Sequence, residues 1–238
     1  IKLTKDYHNN VCEDGSTCII FENDYSKKFI TSDFSLFVGL QSHNLMFYTI
    51  YQNRQRDLFV NSVAPEIGAQ FSFFSPRLNP SLGLFAEVSC SKIEGKLEDF
   101  VINSGIPDAY NVYEHRVFRI NSTLGVKYLF KEKRLRPSIE IGLITGFMID
   151  PENKLSIYDP QESMSIPQLE FENLFPADDK RVGLTGAFQL DYKLQNSNYI
   201  FAKIGYYNTL ALTTFTRTNY TNNNEVEYAF QFKVGYIF

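Results

Sequence analysis

Residues 225–238 read EVEYAFQFKVGYIF. Val226, Tyr228, Phe230, Phe232, Val234, Tyr236 and Phe238 are apolar or aromatic, and Glu227, Ala229, Gln231, Lys233, Gly235 and Ile237 stand between them. A period of two marks a β-strand with two unlike faces. Which face looks inward decides the fold.

The same alternation recurs upstream. One face carries Phe34, Leu36, Val38 and Leu40; then Ile67, Ala69, Phe71 and Phe73; then Leu82, Leu84, Ala86, Val88 and Cys90. Further runs start at Phe118, Ile139, Val182 and Ile200, which with the last strand makes eight. No charge falls on these faces. The opposite faces hold Glu66, Glu87, Arg119, Lys127, Glu140, Arg181, Asp191, Lys193, Lys203, Glu227 and Lys233. They also hold a glycine on every strand: Gly39, Gly68, Gly83, Gly125, Gly142, Gly183, Gly205 and Gly235. Glycine weakens a strand unless a close approach needs it. Inside a narrow barrel it makes room for long charged neighbours.

A soluble sandwich or lipocalin-like barrel would put the apolar face inside. The strands reach or exceed the 9–11 residues of a bilayer crossing. Connections alternate between short (SPRLNPS, KEKRLR, QNSN) and long, around 51–62, 94–115, 150–180 and 214–224. That asymmetry marks outer-membrane barrels, and closure satisfies every backbone group in lipid. The expectation is an all-β fold: an eight-stranded antiparallel transmembrane barrel over 34–238, with 225–238 paired to the strand near 34–47. The termini lie in the periplasm and the long loops outside. Interior acids and bases are nearly equal and pair to seal the lumen.

Alternating aromatics ending on Phe238, with Phe232, Val234 and Tyr236, resemble the C-terminal signature of bacterial outer-membrane proteins. That resemblance implies recognition by the barrel-assembly machinery. LGVKYLF, a short basic turn and RPSIEIGLITGFMI resemble the small PorT-like barrels of Bacteroidota. Size and strand number are similar to the OmpA and OmpX type.

Residues 1–33 do not fit the barrel. They read as a short helix and a polar turn on the periplasmic side, either the tail of a larger N-terminal region or a cap on the mouth. The opening IKLTKDYHNN has neither the basic start nor the apolar core of a signal peptide. Cys12 and Cys18 flank a turn and either form a disulfide or stay free, and Cys90 packs as a small apolar group.

Chemistry is sparse. Some small barrels modify lipid A with His and Ser at the lipid face, but Ser42 points outward while His43 points inward. His115 reads as a rim residue, and His8 lies in the leader. The acidic stretch 150–180 lacks the ligand spacing of a calcium loop, so no metal or cofactor is expected. Its four prolines and its apolar residues, among them Phe171, Leu174 and Phe175, suit a partner contact.

The functional expectation is a non-enzymatic anchor, scaffold or accessory subunit of a larger outer-membrane complex for secretion, uptake or assembly. A narrow channel and a lipid A-modifying enzyme are the alternatives. Expected partners are outer-membrane lipid including lipopolysaccharide, the assembly machinery, and other outer-membrane or surface proteins. A net charge of −4 argues against nucleic acid.

Overall fold

The computed structural model describes residues 29–51, 54–76, 79–98, 110–130, 134–158, 169–172, 180–195, 198–211 and 226–238. Cys12, Cys18, His8, Leu174 and Phe175 lie outside them, as do most of segment 1–33 and the stretch 214–224. Nine strands occur among the described residues: β1 (Thr31–Tyr51), β2 (Arg54–Ser75), β3 (Asn79–Glu98), β4 (Tyr110–Leu129), β5 (Leu135–Tyr158), β6 (Leu169–Glu172), β7 (Lys180–Lys193), β8 (Tyr199–Ala211) and β9 (Val226–Ile237). Eight close a ring in the order β1-β2-β3-β4-β5-β7-β8-β9, every neighbour antiparallel. β1 and β9 complete it, from Ser35↔Ile237 to Met46↔Val226. β6 stands outside the ring, paired with β5 from Lys154↔Glu172 to Ile157↔Leu169.

The alternation sorts as its chemistry requires. Leu84, Leu124, Ile141 and Leu184 are 64–65 % exposed on the outer face. A soluble protein could not leave a continuous apolar belt in water. The belt meets lipid, and ring closure leaves no unpaired strand edge within it. Aromatic groups gather at the end of the barrel where β1 begins and β9 ends. Phe34 lies 4.6 Å from Phe71 and 5.8 Å from Phe238 between ring centroids. Tyr236 and Phe238 meet edge-on at 4.8 Å. The Phe238 amide donates to the Phe34 carbonyl at 2.9 Å, so the last residue is tied into the seam between first and last strands.

The strands outrun the expected boundaries. β1 begins at Thr31 rather than Phe34. The stretch 51–62, expected as a long loop, is strand at Tyr51 and from Arg54 onward, with Tyr51 opposite Arg54. β3 and β4 likewise occupy much of 94–115, and β5 and β6 much of 150–180. A strand that has left the bilayer needs no apolar outer face, so its charges disguise it. The ladder of β4 and β5 shifts register between Arg116 and Phe118, where Asp150 and Pro151 of β5 stand opposite Val117 alone.

Candidate functional site: a filled lumen

The inward side chains form layers, built by strands whose alternation places one residue in two inside. The first layer crosses the mouth at the terminal end. Arg136 on β5 reaches Asp191 on β7 at 2.9 Å and Asp33 on β1 at 3.2 Å. Its guanidinium lies 4.1 Å from the centroid of the Tyr199 ring, and Gln189 donates to the other Asp191 oxygen at 2.6 Å. This strap spans the floor beneath β8 and β9.

Above it lies a floor of rings. Phe37, Phe74, Phe85 and Phe201 are buried, and Phe37 packs with Phe201 and Ile237. Each ring covers a glycine directly opposite on a neighbouring strand: Phe37 on Gly68, Phe74 on Gly83, Phe85 on Gly125 and Phe201 on Gly235. A methyl group added at Gly125 would stand 2.7 Å from the Phe85 ring. These glycines therefore seat aromatic rings, not the long charged groups expected. Gly39 does follow the expectation, since a methyl there would come within 3.0 Å of Lys233 Cγ.

The third layer is a charge lattice. Lys203 donates to Glu87 at 2.7 Å, Glu140 at 2.8 Å and Gln70 at 2.7 Å. Lys233 reaches Glu87 at 2.6 Å and Glu66 at 3.3 Å, and Lys127 reaches Glu140 at 2.9 Å. Three ammonium groups thus face three carboxylates. Lys233 also stands 4.6 Å from the centroid of the Phe37 ring, adding a cation–π contact. A cavity of about 10 Å³ among Glu87, Thr123, Glu140, Thr185, Lys203 and Lys233 has room for one water molecule.

The fourth layer centres on Glu227. Arg119 bonds it directly, His43 Nδ1 lies 2.6 Å from its Oε1, and Arg181 lies 3.6 Å from its Oε2. The Tyr207 hydroxyl is 3.2 Å from Glu227 and 3.2 Å from Gln41. A fifth, apolar cluster of Ala64, Ile93, Val117 and Met148 lines the wall on β2, β3, β4 and β5.

Ten of the eleven charged residues read as interior are buried here: Glu66, Glu87, Arg119, Lys127, Glu140, Arg181, Asp191, Lys203, Glu227 and Lys233. Lys193 is the exception and is exposed. It is the last residue of β7, already past the strap, and its amide donates to the Arg134 carbonyl in the turn. His115, read as a rim residue, is instead buried within β4, because that strand starts at Tyr110. Ser42 is exposed on the outer face, while His43 is buried against Glu227. Cys90 lies on the outer face of β3, half-buried. Phe232, Val234 and Phe238 are exposed on the lipid face, whereas Tyr236 accepts a hydrogen bond from Asn198 at 2.5 Å. Phe171 belongs to β6.

Asp33, Arg136, Gln70 and Tyr207 escaped the sequence reading. Arg136 continues the even-numbered phase of Ser138 and Glu140, and Asp33 the odd-numbered phase of Ser35 and Phe37. Carrying the first strand one residue back from Phe34 and the fifth three residues back from Ile139 would have found both.

Beyond the belt the outer face turns ionic. Lys92 and Glu94 lie 2.7 Å apart, Arg116 and Glu94 3.2 Å, and Lys154 and Glu170 2.9 Å. The hydrogen bond from Lys92, with Arg116 nearby, holds the Glu94 carboxyl below the usual range.

The chain matches no protein-family model and no curated protein. Among solved structures it is similar to the outer membrane protease OmpT from Escherichia coli, at 11% identity over 93% of this chain and 98% of that one, with a TM-score of 0.46. It is similar also to OprG from Pseudomonas aeruginosa, at 11% identity over 87% and 96%, with a TM-score of 0.40. The third is Ail, the attachment invasion locus protein of Yersinia pestis, at 11% identity over 87% and 99%, with a TM-score of 0.37. Likeness at this level carries nothing about activity, and the fold rests on the strand pairing itself. The chain is a closed eight-stranded antiparallel barrel with an apolar exterior and a filled, largely polar interior, the form in which a β-protein crosses an outer membrane.

Proposed function

We propose that this barrel is a non-enzymatic outer-membrane anchor or accessory subunit that contributes surface to a larger assembly. The observation that carries the reading is the filled lumen. Lattice, ring floor and strap each cross the lumen, and the cavity beside Glu87, Glu140 and Lys203 has room for about one water, which supports a barrel closed to permeant molecules. Buried His43 is engaged by Glu227, and Ser42 faces away from it, so the pair does not form a nucleophile and base.

In this reading the termini and short turns face the periplasm and the long strand extensions face outward. The alternating aromatics of β9 would serve the assembly machinery as the recognition segment. The resemblance of 124–149 to PorT-like barrels of Bacteroidota suits a subunit role. Specificity would then reside in the segment between β5 and β7. β6 lends that segment a strand, with Lys154 paired to Glu170, and Phe171, Leu174 and Phe175 supply apolar contact. Burying such groups stabilises a complex by about 25 cal/mol per Å².

The test replaces residues 159–178 with a Gly-Ser linker of the same length, leaving β5 and β7 intact. The variant should insert normally and lose one or more companions that co-purify with the native barrel in mild detergent. Normal insertion with every companion retained would refute the assignment of partner contact to this segment.

A further inference from the structure

The hydrogen-bonded ladder between β2 and β3 stops at Glu66↔Ser91, although β2 continues to Arg54 and β3 to Glu98. The next residue of β2 is Pro65, which has no N–H to donate. On its other side β2 stays paired with β1, through Leu40↔Pro65 and on to Tyr51↔Arg54. β3 stays paired with β4, from Lys92↔Phe118 to Glu98↔Val112. Across the gap the contact is through side chains. Val60 packs where a Gly95 side chain would stand, and Ala64 clusters with Ile93, Val117 and Met148.

The facing edge of β3 is protected as an edge strand. Its outward residues along the gap, Lys92, Glu94, Lys96 and Glu98, are all charged and exposed, a pattern that discourages pairing. Proline on one edge and charge on the other are separate devices with the same effect. At the far side of the ring, β7 stops pairing with β5 at Phe147↔Lys180, so among the described residues the extension of β5 pairs with β4 and β6.

We infer that the wall beyond Glu66–Ser91 is built as two leaves, β1–β2 and β3–β4–β5–β6, which part along this seam while the ring below stays shut. Parting breaks no hydrogen bond of the β2–β3 ladder. It separates Val60 from Gly95 and Ala64 from Ile93. It opens the apolar cluster from the side and brings water to the layer of Arg119 and Glu227 beneath. On its β3 side the seam runs where the outer face has already turned from apolar to ionic, so the opening faces water and lipid headgroups there.

Spin labels test this in the full chain in lipid bilayers, with Cys12, Cys18 and Cys90 replaced by serine. Asn61 and Lys96 are exposed and lie opposite each other when the β2–β3 register is continued. Lys96 and Glu114 are direct partners in the paired β3–β4 ladder at the same height and serve as the control. The seam pair should show a second population at longer distance, absent from the control. Pro65→Thr, which restores the donor, should shift that population toward the short distance. A single short distance at the seam, as narrow as the control, would overturn the inference.

Discussion

Gly68 shows how a missing side chain becomes a binding surface. The Phe37 ring lies where its Cβ would be, and the two residues are direct partners across β1 and β2. The arrangement recurs at Gly83, Gly125 and Gly235. Covering glycine with a ring restores the apolar contact a strand loses there. Truncating Phe37 to alanine should cost about 3–5 kcal/mol, as for other buried aromatic side chains. Urea unfolding in detergent micelles checks this, and Gly68→Val should be destabilising in the same assay because Phe37 and the Val88 carbonyl must both give way. Glu227 poses the opposite case. It is the acid that Arg119, Arg181 and His43 share. Glu227→Gln keeps the shape and removes the charge, leaving the buried Arg119 guanidinium without the carboxylate it bonds. That should cost about 3–5 kcal/mol, whereas Lys92→Ala on the exposed ionic face should change stability by less than about 1 kcal/mol.

At the scale of the strand, the alternation locates the lipid belt residue by residue. Ile141 lies within the apolar stretch of β5 from Ile139 to Ile149 and is 65 % exposed on the lipid face. Ile141→Arg should therefore cost about 2–4 kcal/mol in a bilayer, while the same change in the ionic zone at Glu152 should be nearly neutral. Refolding into vesicles and titrating with denaturant separates the two. This belt was legible in the sequence, because a lipid face tolerates no charge over a full crossing and the pattern repeats eight times. Strand ends were not legible. Arg54, Arg56 and Asp57 read as loop residues, yet they lie in β2, where hydrogen bonding to β1 suffices and the outer face need not be apolar. β6 was missed because four residues carry too short a pattern, Leu169 and Phe171 against Glu170 and Glu172. The purpose of the glycines was half legible. Alternation placed them inside, but which side chain covers each depends on the register between strands. The strap of Asp33, Arg136 and Asp191 joins three strands, and no single-strand pattern contains it.

For the whole molecule, the layers decide what the barrel can do. Eight strands enclose a space that side chains can fill, and here they fill it from the strap to the apolar cluster. Buried Lys203, Lys233, Lys127 and Arg119 each have a carboxylate partner, so the interior needs no mobile counter-ions and offers them little passage. The parting of the two leaves lies above the lattice and leaves this seal in place. Conductance across a planar bilayer tests the seal most directly. Purified protein should show little steady current in molar salt, and weakening the lattice with Lys203→Ala and Glu140→Ala together should raise it. A large, steady, ohmic conductance from the unmodified barrel would contradict the sealed lumen and the anchoring role drawn from it.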